Sequence, residues 1–154
     1  SSDVCSSDLH VSYFHHNSEE EIRQYTNTVI QGLQTGLFTY LCHPDVFMSK
    51  QEDFTQACQE AAHRLGKVCE ELKIPMEVNL RGILKGKTHY QNGELYPYPH
   101  KDFWRIIATY HVPVVVGFDA HDPNELRMKD LHEKALEELK DLSLDYITKP
   151  FIQH

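Results

Sequence analysis

Long apolar runs are missing from this chain. No stretch reaches the roughly 18 consecutive apolar residues that a membrane-crossing helix needs, so no membrane partner is expected. Basic residues are scarce: 15 Lys and Arg against 23 Asp and Glu leave a formal net charge of −8. That balance argues against a nucleic-acid partner held by a basic surface. The acidic residues are spread along helix-like segments and read as solvated faces. The sequence also lacks CxxC spacing. Its four cysteines, Cys5, Cys42, Cys58 and Cys69, fit buried free thiols in a reducing, cytoplasmic compartment better than a disulfide framework.

What is present is an ordinary globular composition, 40% hydrophobic and 25% charged over 154 residues, which fits one domain or part of one. Histidine is the exception. Eleven are present, roughly three times the usual share. Residues 1–11 open with SSDV, C and SSDL, a near-repeat of small and acidic residues with no apolar period. They read as a disordered or non-native leader, and residues 12–154 as the domain.

Within that domain, helical and extended patterns alternate. Ser18 and Glu21 form a capping box. Ile22, Tyr25, Val29, Ile30 and Leu33 follow at helical spacing, and Gly36 is a stop signal. Residues 37–42 form a short apolar run, expected to be a buried strand, that ends in His43-Pro44-Asp45. Phe54, Cys58, Ala61, Leu65, Val68 and Leu72 make one helical stripe. Lys73 is placed to meet the negative end of the helix dipole, and Pro75 stops the helix. Met76-Glu77-Val78-Asn79-Leu80 reads as a strand bearing a carboxylate and an amide. Residues 81–99, with the Asn92-Gly93 turn signal, read as a long functional loop. Phe103, Trp104, Ile106, Ile107 and Tyr110 suggest a helix, VVVGF a strand, residues 128–142 a final helix and residues 144–148 a last short strand.

Strand–helix alternation with apolar strands predicts a parallel α/β sheet covered by helices. In such folds the C-terminal strand ends share one face, where sites are built. His43, Glu77, Asp119 and His121 all stand at such ends and are expected to converge. Imidazole and carboxylate donors suit zinc, iron or manganese. Asp119 and His121 are alternate residues, so an extended backbone points both to one side. Asp45 reads as the start of the next turn. His10, His15, His16, His63 and His132 read as surface residues, and His89, His100 and His111 as loop or helix-end residues.

As a set, His43-Pro44-Asp45, Glu77-Val78-Asn79 and Asp119-Ala120-His121 with Pro123 resemble the later motifs of the PHP (polymerase and histidinol phosphatase) family. Tyr96-Pro97-Tyr98-Pro99 with Phe103-Trp104 is similar to its histidinol-phosphatase branch. The resemblance covers residues 12–144. It implies about four β/α units of a distorted (β/α)7 TIM-like barrel, holding two or three Zn, Fe or Mn ions in the complete domain. It implies metal-dependent hydrolysis of a phosphomonoester, L-histidinol phosphate first, as in histidine biosynthesis. His43, Asp119 and His121 match metal ligands, and Asp119 and His121 are also the catalytic pair. Glu77 and Asn79 take orienting roles, and Arg81 and Lys85 are the phosphate-binding candidates, with Lys87 beside them. Family members begin with His-x-His, which this chain lacks, so the chain is expected to be the C-terminal part of such a domain and inactive alone. The alternatives are a relative acting on phosphotyrosine or a nucleotide, or a non-catalytic degenerate module.

Overall fold

A computed structural model describes residues 19–118 and 124–147 and the backbone of Ile152–Gln153. Helix α1, Glu19–Gln34, buries Ile22, Tyr25, Thr26, Val29 and Leu33 along one face. A 3-10 turn, Val46–Lys50, leads to helix α2, Gln56–Leu72. The Thr55 hydroxyl caps α2 by accepting from the Cys58 amide, with the extended backbone expected of an N-cap. Thr55→Ala is expected to cost about 1 kcal/mol of stability in urea unfolding; an unchanged midpoint would show that the cap contributes nothing.

Cys58, Ala61 and Leu65 lie in the core as their spacing predicts, but Leu72 is exposed. The buried face is carried by small residues instead: Ala57, Ala62, Gly66 and Cys69. The reason is that α2 lies between α1 and a later helix, so close approach matters on two sides. At Gly66 a Cβ would stand 2.7 Å from the Tyr110 ring. Lys73 ends α2 by adopting left-handed backbone, with φ +58°, while its amide reaches back to Glu70. Its role is that of a left-handed C-cap, a position glycine usually fills.

The sheet is parallel. Strand β1, Met76–Asn79, pairs with β4, Pro113–Phe118, in the register Met76 to Val114 and Asn79 to Gly117. β4 also pairs with β5, Asp145–Tyr146, and with β6, Ile152–Gln153. The apolar run at 37–42 reduces to one bridge, Leu41 to Met76, held by Leu41 N–H to Pro75 O and Glu77 N–H to Leu41 O. Leu37 is exposed. The expected strand is therefore a single pairing, because the chain turns away at His43. Among the described residues these strands form an open sheet.

Residues 81–99 are more ordered than a loop. They hold a short helix α3, Arg81–Leu84, and an antiparallel hairpin of β2, Thr88–Tyr90, and β3, Gly93–Leu95. Gly93, with φ +114°, supplies the turn that Asn92-Gly93 signalled. Helix α4, Lys101–Ile107, packs on α2, and helix α5, Glu125–Glu138, packs near α3.

Strand alternation divides the sheet into two faces. Met76, Val78, Val114 and Phe118 enter the common core with α1, α2 and α4, and Val116 packs against it. Glu77, Asn79, Val115 and Gly117 fall on the opposite face. Cys58 and Cys69 are buried free thiols as expected. Cys42 departs from that expectation: it is disulfide-bonded, and such bonding depends on proximity in space rather than on spacing in sequence. No helix among the described residues is long and apolar enough to cross a membrane.

Candidate functional site

The polar face of β1 is buried. Glu77 and Asn79, two residues apart on one side, have 0% and 1% of their surface exposed. A buried carboxylate is costly unless hydrogen-bonded, and Glu77 Oε1 accepts from Asn79 Nδ2 at 2.9 Å and from the His43 amide at 3.2 Å. Asn79 Oδ1 in turn accepts from the Arg81 amide at 2.8 Å. Each end of the Asn79 amide thus has a partner that fixes which atom is which. Glu77 and Asn79 thus link the tip of β1 to the turn carrying His43.

That turn is held at three successive residues. His43 is buried and has φ +26°, a backbone region that non-glycine residues rarely occupy. Its amide is tied to Glu77. The Pro44 carbonyl accepts from the Tyr25 hydroxyl at 2.7 Å. Asp45 Oδ2 accepts from the His100 amide at 2.7 Å and from Trp104 Nε1 at 3.0 Å. Asp45 does begin the following 3-10 turn, as its position suggested, but its side chain does not cap that turn. It points into the protein, where burial pushes its carboxyl up to about 7.

His100 also exceeds its sequence reading as a helix-end residue. It caps α4 through Nδ1, which accepts from the Asp102 amide, yet it is completely buried. Its ring stacks on Phe54 with centroids 5.2 Å apart and meets the Tyr90 ring edge-on at 4.9 Å. Burial pulls its pKa down to about 4, against the opposing pull of Asp102 and Asp53. Asp45 and His100 had no local signal in the sequence, because each depends on a partner 55 positions away.

The cations divide. Lys85 Nζ lies 5.4 Å from the centre of the Tyr98 ring, and that ring stands 6.0 Å from the His43 ring. Lys87 is turned to α5, with Nζ 3.4 Å from Glu138 and 5.2 Å from the Tyr96 ring centre. Arg81 is exposed at the end of β1. The structure therefore brings Lys85 to within one aromatic ring of His43 and directs Lys87 elsewhere.

Asp119 and His121 lie outside the described residues, as do His10, His15, His16 and the Ser18 half of the capping box. Among the described residues no group of three or more His, Cys, Asp or Glu side chains is placed to hold a metal ion. His43 is the one described member of the expected ligand set, so the described residues do not by themselves fit a metal. His63, His89 and His111 are exposed and His132 is half-buried, in keeping with surface and helix-end roles. Comparison with family models, with curated proteins and with solved structures yields no match.

Proposed function

We propose that this chain supplies strand-end residues to a metal-dependent phosphomonoester hydrolase of the PHP kind, with L-histidinol phosphate as substrate. The observation that carries the reading is the meeting of His43, Glu77 and Asn79 at the C-terminal ends of neighbouring parallel segments, with Lys85 one ring away. On this reading the open parallel sheet is an arc of a distorted (β/α)7 barrel whose inner side is the Glu77 face. Val115 and Gly117 share that face with Glu77 and Asn79.

Zinc, iron or manganese would be the cofactor of this reading; His43, Asp119 and His121 would hold it, and it would supply Lewis acidity to the hydrolysis. The chain's own contributions are positional and electrostatic. Glu77 and Asn79 hold the turn that sets His43. Lys85 offers the phosphate a point charge, and Arg81 offers a fork that lysine lacks.

The test is a substrate panel with added manganese on the full reading frame: L-histidinol phosphate, phosphotyrosine and a nucleoside monophosphate. Phosphate release should be fastest from L-histidinol phosphate, and the double variant Asp119→Ala, His121→Ala should abolish it while keeping the helix content. Faster turnover of another ester would reassign the substrate. Wild-type turnover in the double variant would remove both residues from the site. A protein that purifies without transition metal and gains no activity from manganese or zinc is a non-catalytic module.

A further inference from the structure

We infer that Asp45 is a positioning residue, whose buried carboxyl clamps the His43 turn onto the start of α4. Four observations converge on it. The backbone at His43 sits at φ +26°, a conformation that costs free energy and persists only where its surroundings over-determine it. The turn is short and closed on itself, the Val46 amide donating to the His43 carbonyl at 3.0 Å and the Met48 amide to the Asp45 carbonyl at 3.0 Å. The Asp45 side chain is 1% exposed and makes no cap to its own turn. Instead its Oδ2 takes two donors from a different element, the His100 amide and the Trp104 indole.

A carboxyl serving only the local turn would bond the amides that follow it. Asp45 spends its acceptor on α4 instead. The donors it meets are themselves fixed. Trp104 is completely buried and packs edge-on against Phe103, and His100 is held between Phe54 and Tyr90. The clamp therefore ties a strained turn to a rigid anchor, the arrangement by which supporting residues hold a working side chain in place. Glu77 holds the same turn from β1 through the His43 amide and Tyr25 holds it from α1 through the Pro44 carbonyl, so with α4 the turn is gripped from three elements. The function this serves rests on His43 being a working residue of the proposed site; the clamp itself does not.

The experiment compares the wild-type chain with Asp45→Asn, Asp45→Ala and Trp104→Phe by amide hydrogen exchange. Asn keeps an acceptor for both donors, Ala keeps none, and Trp104→Phe removes one donor. Asp45→Ala should speed exchange at the His43 amide by roughly tenfold or more relative to amides in the middle of α1 and α2. Asp45→Asn should restore most of the protection. Trp104→Phe should fall between, and it carries the comparison if the alanine variant does not fold. His43 exchange that merely tracks α1 and α2 would overturn the proposal, because loss would then be global. So would an Asp45→Asn variant as exposed at His43 as Asp45→Ala.

A second readout is manganese-dependent hydrolysis of p-nitrophenyl phosphate by the full reading frame. Asp45→Ala should lower kcat with KM within about twofold, as expected when only the transition state loses an interaction. No such hydrolysis in the wild type would sink the phosphatase reading, with the clamp still decided by exchange at His43.

Discussion

Gly82→Ala is expected to be among the most destabilising single substitutions in this chain, at about 3 kcal/mol or more. A Cβ built at Gly82 stands 1.7 Å from the Tyr98 carbonyl oxygen and 2.7 Å from the Tyr98 ring. A side-chain clash of that depth is relieved by rotation. A clash with a backbone oxygen is relieved only by moving a segment, and overpacking of this kind costs upward of ~1–3 kcal/mol. The segment that must move is the one whose Tyr98 ring stands between Lys85 and His43, so the substitution should also disturb the site. Gly86→Ala is the control. Gly86 has φ +79° with nothing within 4 Å of an added Cβ, so it should lose only about 1 kcal/mol, the usual cost of a side chain in left-handed backbone. Urea unfolding midpoints measure both. Equal losses would mean that α3 shifts freely away from Tyr98, and the close packing there would count for little.

The contrast between these two glycines shows which features could be read from sequence. Gly93 follows Asn92, a local turn signal, and the hairpin is where that pair places it. Gly82 lies in an unremarkable run, because its requirement comes from Tyr98, sixteen positions later. The same division holds elsewhere. The α1 stripe of Ile22, Tyr25, Val29 and Leu33 is periodic and was legible. β4 was legible as an apolar run and β1 as a short strand bearing a carboxylate and an amide, and their parallel pairing follows from the helices between them. The run at 37–42 was equally apolar, but an apolar run reports burial rather than pairing, and only Leu41 pairs. β2 and β3 are three residues each, too short to display an alternation. Within the candidate site, the grouping of His43, Glu77 and Asn79 was expected because all three stand at strand ends that share one face. Asp45 and His100 were not, since a buried polar residue in a loop looks like any exposed one until its tertiary partner is known.

Asp45 and His100 also set the second expected result, which concerns the metal-free protein's stability against pH. Burial raises the Asp45 pKa from 3.8 to about 7 and lowers that of His100 from 6.5 to about 4. Taken singly, the two have opposite signs. A raised carboxyl means that the folded state binds more protons than the unfolded state between about pH 4 and 7, so Asp45 makes stability fall as pH rises through that window. A lowered imidazole means that the unfolded state binds more between about pH 4 and 6.5, so His100 makes stability rise with pH there. In the shared window the folded pair carries one proton, on Asp45, and the unfolded pair also carries one, on His100. Folding moves the proton without releasing it, and the pair's contribution is flat. Single substitutions expose each half. Asp45→Asn should leave stability climbing from about pH 4 to 6.5, by on the order of 3 kcal/mol. His100→Asn, which keeps a cap for the Asp102 amide, should leave it falling over the same range by a comparable amount. Urea midpoints of the three proteins across that window, with a chelator present, isolate the pair from groups common to all. Parallel profiles in wild type and Asp45→Asn would mean that Asp45 titrates like a solvated carboxylate. The packing of Oδ2 against the His100 amide and the Trp104 indole would then not hold it out of water.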